Sequence, residues 1–218
     1  MPRGRAPGYD MQREEILAHA AELFARKGYP GTSMNEVAEA CGVSKPTLYH
    51  YVRDKEQLLG EIARGHIERL RSLIDEVSGQ RLAPEALLRQ LIERFVDEYA
   101  GARNAHRVLT EDVKFLQADD REQVLDGQRH VVAAFAEAIA AVRPEVKVTQ
   151  MHKPLTMLLF GMINWMFTWL QPGGRLKHAD MAPVVADLFF GGLGAVQLPS
   201  PKSRGRSRST ASKANSVA

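Results

Sequence analysis

The chain has 218 residues, 44% of them hydrophobic and 25% charged, with a formal net charge of +3 and one cysteine, Cys41. That is enough apolar material for a packed core in one large or two smaller domains, and it excludes a disordered or collagen-like chain. One thiol also excludes an internal disulfide framework and an intrachain thiolate zinc site, as expected in a reducing compartment.

The overall charge is misleading as a guide to partners. Lys202, Arg204, Arg206, Arg208 and Lys213 lie in the last 21 residues with no acid among them, so the positive excess belongs to this Ser/Pro-rich tail. The tail, 198–218, is expected to be disordered, and the rest of the chain to bind whatever it binds through placed charges rather than net charge. The start, MPRGRAPGYD, has no apolar stretch of the secretory type; a cytoplasmic protein with a flexible arm over 1–10 is expected.

The first helix is predicted after Asp10, since Ile16, Leu17, Ala20, Leu23 and Phe24 recur on one face, and Gly28 ends it. Ser33 with Glu36 three residues on forms a capping box that opens a short second helix, with Val37, Ala38 and Cys41 inward. Ser44 caps a third helix that tolerates Pro46 in its first turn. Asp54 caps a long fourth one, whose buried stripe is Leu58, Leu59, Ile62, His66, Leu70, Leu73, Ile74 and Val77.

Five more helices are expected: from Pro84, from His106, from Arg121, over the apolar run Leu155–Leu170, and from Met181. No stretch has sustained strand alternation. The fold class is therefore all-α with about nine helices: a helix-turn-helix module over 11–58 and a larger bundle over 59–197. The apolar run is about 16 residues and contains Asn164, short of the roughly 20 needed to cross a bilayer, so it reads as a buried helix. Asn164 then needs a buried partner.

Two short helices joined by CGVS have the lengths of a helix-turn-helix. With Leu48 inward, helical steps turn Pro46 and His50 outward, with Thr47 and Tyr49 on the flanks and Tyr51 nearer the buried side. Lys45 is placed to reach a base edge or a phosphate, and Tyr49 to give its hydroxyl to a phosphate. Lys55, Thr32 and Ser33 sit at helix starts, where dipole and donors favour the DNA backbone.

No H-x-x-x-H or H-E-x-x-H spacing marks a metal site, and no nucleophile elbow marks a catalytic serine. Neither a metal, a cofactor nor catalysis is expected. Cys41 reads as a small core residue rather than a redox sensor.

The stretch TSMNEVAEACGVSKPTLYHYVRDKEQLL resembles the DNA-binding domain of TetR-family transcriptional regulators, over about residues 11–60. The resemblance implies that Lys45, Pro46, Thr47, Tyr49, His50 and Tyr51 meet operator DNA, with Lys55 on phosphate and Ser44 at the helix start. It also implies a homodimer built on the last two helices; Met162, Met166, Val185, Leu188, Phe189 and Gly192 are the candidate seam residues.

The segment FGMINWMFTWLQPGGRLKHADMAPVVADLFFGGL is similar to the end of TetR-type catabolic repressors that sense CoA thioesters. A small-molecule effector of that class would use Phe115, Phe160, Asn164, Trp165 and Trp169 around its acyl group, and Arg103, Arg107 and Arg129 at its phosphates. The alternatives are a drug-sensing or free-acid-sensing repressor, an enzyme with an accessory helix-turn-helix, and a non-specific DNA organiser driven by the tail.

Overall fold

The computed structural model describes residues 8–170 and 173–200. The expectations for most of the N-terminal arm and of the basic tail fall outside these residues. Among the described residues there are ten α-helices, one 3-10 turn and no strand.

α1 (Tyr9–Lys27) stops at Gly28, whose φ of 78° lies in the region that favours glycine and whose N–H closes on the Phe24 carbonyl. α2 (Met34–Ala40) opens with the full capping box of Ser33 and Glu36. α3 (Lys45–Tyr51) opens with Ser44 Oγ accepting the Thr47 N–H, and α4 (Lys55–Ser78) with Asp54 accepting the Gln57 N–H. Each cap satisfies a backbone donor that has no partner within its helix, which fixes the start of each element by local chemistry alone.

The bundle comprises α5 (Pro84–Gly101), α6 (Arg103–Glu111), α7 (Ala118–Val142), α8 (Glu145–Val148), α9 (His152–Trp169) and α10 (His178–Ala195). The tenth helix is α8, a single turn too short to show periodicity; it is held by the fully buried Val146. The stretch predicted as one helix from His106 is in fact α6 followed by a 3-10 turn, Val113–Phe115.

α4 is shared by the two halves. It packs on α1 at one end and on α5, α6 and α7 along the rest, and all eight residues of its expected stripe are buried. The expected boundary at 58/59 therefore falls inside one continuous 24-residue helix. A single cluster of buried side chains runs from Ile16 in α1 to Leu193 in α10, so a shift of α4 is felt in both halves.

No described helix is long and apolar enough to cross a membrane. α9 buries Leu155, Leu159, Phe160, Ile163 and Met166, while Met157, Leu158, Trp165 and Trp169 are exposed on its other side.

Candidate DNA-binding face and effector cavity

α3 presents a continuous outward face. Leu48 is fully buried and anchors the helix, leaving Ser44, Lys45, Pro46, Thr47, Tyr49 and His50 exposed. Ser44 Oγ and Thr47 Oγ1 lie 2.7 Å apart. Tyr51 is half-buried: its ring stacks on Tyr9, with centroids 4.8 Å apart, and Tyr9 and Tyr51 both set their rings edge-on to His50. The first residue of α1 thus braces the end of the recognition helix, a role the sequence did not show because Tyr9 and His50 are far apart in the chain.

Two expected phosphate contacts are used internally instead. Thr32 is buried, and its hydroxyl donates to the carbonyls of Leu23 and Gly28, at 3.3 and 3.0 Å. Lys55 Nζ donates to the carbonyls of Tyr29 and Thr32, at 2.9 and 2.8 Å, and sits 4.4 Å from the centre of the Tyr29 ring. These two residues fasten the α1–α2 loop to the start of α4. Ser33 is exposed, but its hydroxyl belongs to the capping box with Glu36. The Lys27 ammonium and the Ser33 donors hold that glutamate ionised down to a pKa of about 2.

A cavity of about 210 Å³ lies between α4, α5, α6, α7 and α9. Ile67, Leu70, Leu109, Val131 and Phe160 form much of its apolar wall, and Tyr99, His106, Thr110, Gln128 and Asn164 its polar part. Among the described residues that line it there is no lysine, arginine, aspartate or glutamate.

Beside it, the buried His66 and His106 share a hydrogen bond, His66 Nε2 to His106 Nδ1, at 3.3 Å. Tyr99 stacks on His106 with ring centres 3.7 Å apart. Burial lowers both imidazoles, His66 to about 4 and His106 to about 3. Both are neutral at physiological pH. Asn164 Oδ1 and His66 Nδ1 are buried with no hydrogen-bond partner among the described residues, which therefore do not supply the partner expected for the Asn164 oxygen.

The candidate ligand residues separate into two groups. Phe160 and Asn164 line the cavity. The other six do not. Trp165 and Trp169 are 67% and 47% exposed on the outer side of α9, and Phe115 stacks on Tyr29, 5.5 Å away, at the junction with the DNA-binding module.

The three arginines have other neighbours. Arg107 pairs with Glu111, and Arg129 with Asp126 and Glu122, all on exposed helix surfaces. Arg103 lies close enough to His178 for its charge to help depress that imidazole. Helical periodicity placed these side chains on faces, but not the faces in space, and Arg107 and Arg129 start from ion pairs.

The candidate seam residues divide as well. Leu188 is 65% exposed, Met162 half-buried and Gly192 exposed, beside open space. Val185 and Phe189 are buried in their own protomer because α10 packs along α5, and Met166 is buried on the side of α9 that packs on α7 and the rest of the core. Among the described residues no group of three His, Cys, Asp or Glu side chains is placed to hold a metal ion.

The segment between α6 and α7 ties the cavity wall to the DNA-binding module. Besides the Phe115–Tyr29 stack, the buried Asp112 receives the Tyr29 backbone N–H, Arg64 pairs with Asp120, and Gln117 reaches Glu56 at 3.4 Å.

A capped helix-turn-helix with an exposed polar face, joined through a shared helix to a bundle with a cavity between its helices, defines a DNA-binding regulator with a separate sensing domain. The chain belongs to the TetR family of transcriptional regulators. Residues 16–62 match the bacterial regulatory proteins of the tetR family, and residues 81–193 the tetracyclin repressor-like C-terminal domain.

Its relatives include the HTH-type transcriptional repressor KstR2 of Rhodococcus jostii RHA1, 30% identical over 88% of this chain and 96% of that one. The structure of a TetR-family regulator from Bordetella parapertussis 12822 matches with a TM-score of 0.79 and 31% identity, over 86% of this chain and 98% of that one. AibR, solved in complex with isovaleryl coenzyme A and operator DNA, has the same fold at a TM-score of 0.69 and 24% identity, covering 85% and 97%.

Proposed function

We propose that this regulator is a cytoplasmic, non-catalytic repressor that holds a palindromic operator as a homodimer and releases it when a small molecule occupies the cavity between α4 and α9. The observation that carries this reading is the cavity itself. Its wall includes Ile67 and Leu70 of α4, the helix whose first residue, Lys55, fastens the α1–α2 loop.

A ligand that spreads α4 from α6 and α7 also moves the Asp112–Asp120 segment that grips Tyr29, Glu56 and Arg64. It shifts the dimer only in so far as it binds the two arrangements with different affinity. Repression is the mode named for the relative KstR2. A CoA thioester of an aromatic or medium-chain acid is the effector class we put forward, with its acyl part in the cavity and its phosphates outside, where Arg107 and Arg129 would have to exchange their present carboxylate partners. The test is operator release by phenylacetyl-CoA and a medium-chain acyl-CoA, against the free acids and CoA alone. Release by a free acid or an unrelated drug, and by no thioester, rejects the thioester class.

DNA is read, on this proposal, by Lys45, Pro46, Thr47, Tyr49 and His50, with Ser44 at the start of the helix and Tyr51 as a brace that touches the edge of the site. His50→Ala is expected to change the ranking of operator variants, losing about 1–3 kcal/mol at one base pair, whereas Tyr49→Ala weakens all of them alike. Binding titrations against a mutated operator series measure both. An unchanged ranking for His50→Ala removes that residue from base readout.

The dimer seam is assigned to the outer faces of α9 and α10, where Leu158, Trp165 and Leu188 are exposed and Gly161, Gly191 and Gly192 leave open space for a close approach. Leu188→Glu is expected to yield a folded monomer at micromolar concentration in sedimentation velocity. Phe189 is unsuited to this test because it is a core residue. A Leu188→Glu dimer as tight as the wild type places the seam elsewhere.

A further inference from the structure

On the proposed reading, which this inference rests on, His50 meets a base pair, and how well it does so depends on where its ring stands before DNA arrives. α3 does little to fix that ring. The helix has seven residues, of which Leu48 is the buried one, and His50 is exposed one residue before its end. An exposed imidazole turns among several rotamers, and its last torsion is broad. Consecutive side chains of a helix stand about 100° apart, so Tyr51 can cover one side of His50 at most.

Another side is covered from α1. The Tyr9 ring lies 6.2 Å from that of His50 at 84°, and the Tyr51 ring 5.6 Å from it, also at 84°. Both contacts are edge-to-face, an arrangement that aromatic pairs favour. Tyr9 and Tyr51 are in turn stacked, with centroids 4.8 Å apart and planes at 29°, so each holds the other. Beside the three rings runs a groove of about 450 Å³, whose other lining side chains include Met11, Gln12 and Glu15. Without the Tyr9 ring, His50 has room to swing into this groove, where the Glu15 carboxylate offers a competing acceptor.

We propose that Tyr9 is a positioning residue for sequence readout: its ring, stacked on Tyr51 and set against His50, holds the imidazole in the orientation that meets its base pair. Ordering a side chain is part of the cost of binding. A ring set in advance therefore raises affinity for the matching base pair and not for the mismatched ones at that position. The specificity of the recognition helix then depends on a side chain from the first turn of another helix.

The probes are a duplex that the wild-type protein selects from a randomised DNA pool and its single-base-pair variants, all titrated at one salt concentration. The proteins are full-length wild type, Tyr9→Leu, Tyr9→Phe, His50→Ala and the Tyr9→Leu/His50→Ala pair. Tyr9→Leu is expected to weaken binding to the selected duplex about three- to tenfold. Variants at the base pair read by His50 lose no affinity, so discrimination there falls by the same factor and discrimination elsewhere stays. Tyr9→Phe retains the ring and should bind within about twofold of the wild type. In the His50→Ala background Tyr9→Leu should change affinity by less than about twofold, because the group it positions is gone. Proton NMR gives a readout that needs no DNA. The His50 imidazole signals, identified by their loss in His50→Ala, should move in Tyr9→Leu and hold in Tyr9→Phe.

An equal loss for every duplex in Tyr9→Leu would make Tyr9 a phosphate contact or a general support of α1, and overturns the proposal. So does a Tyr9→Phe protein that behaves like Tyr9→Leu, or a Tyr9→Leu protein without the wild-type circular dichroism. If His50→Ala leaves the ranking of duplexes unchanged, the base-reading role of His50 fails and this inference with it. If His50→Ala changes the ranking and Tyr9→Leu does not, the reader stands and the role of Tyr9 alone is lost.

Discussion

Acidification from pH 7 to pH 4 is expected to cost the wild-type fold on the order of 6 kcal/mol more, about 3 kcal/mol for each histidine, than it costs a His66→Gln/His106→Gln variant. The two imidazoles are buried, linked to each other, and stacked in part under Tyr99. An unfolded chain takes up a proton on each near pH 6.5, whereas burial holds the folded values at about 4 for His66 and about 3 for His106.

Between those limits the unfolded state binds more protons, so stability falls as pH falls, by up to ~1.4 kcal/mol per unit for each histidine. Above about pH 7 both states are neutral at these sites and the dependence disappears. The positive charge of Arg69 adds to the depression at His66. Glu98 and Asp112 act in the opposite sense, because burial raises their pKa values and acid relieves that cost. Both carboxylates are present in the variant as well, so the difference between the two proteins isolates the histidines. Urea melts at half-unit pH steps provide the measurement. Parallel curves for the two proteins would mean that the pair already takes up protons in the folded state.

Gly127→Ala is the second large effect. A Cβ at this position in α7 would stand 2.6 Å from Ile67 Cγ1 and 3.2 Å from Cγ2, both on the α4 side of the crossing. These atoms belong to a branched, buried side chain that also lines the cavity, so the added methyl must displace α4 or α7. Overpacking of this kind costs about 1–3 kcal/mol.

Ile67→Ala alone should cost about 2–5 kcal/mol by leaving a void. Combined with Gly127→Ala, the new methyl occupies part of that void, so the pair should be more stable than the sum of the single changes by about 1 kcal/mol or more. Because α4 leads directly to the DNA-binding module, Gly127→Ala should also weaken operator binding, and Ile67→Ala should restore part of the loss. Denaturant melts and operator titrations on the four proteins test both statements. Stabilities that add to within about 0.5 kcal/mol, the tolerance for independent sites, would show that the two helices do not press on each other here.

Much of the architecture was legible from residues a few positions apart. The caps at Ser33, Ser44 and Asp54 each join a side chain to a backbone N–H three residues away, and the structure has all three. The stripe of α4 follows from helical periodicity and the presence of a core. The outward face of α3 follows from Leu48 having to point in. Segment 106–117 misled because hydrophobic spacing persists through a 3-10 turn, and α8 is shorter than one period of the pattern used to find helices.

Capping, periodicity and turn chemistry act within one or two helical turns, so an all-helical regulator with a helix-turn-helix near its start could be read from neighbouring residues. Which faces meet depends on the packing of the whole bundle. That packing joined His66 to a histidine 40 residues away, set Phe115 against Tyr29 rather than in the cavity, and turned Trp165 and Trp169 outward while Phe160 and Asn164 turned inward. It also directed the Lys55 ammonium into two loop carbonyls, where the sequence suggested a phosphate. The physical reason is common to these cases. A helix wheel gives the angle between side chains on one helix, but the rotation of that helix against its neighbours is set by how the whole core packs.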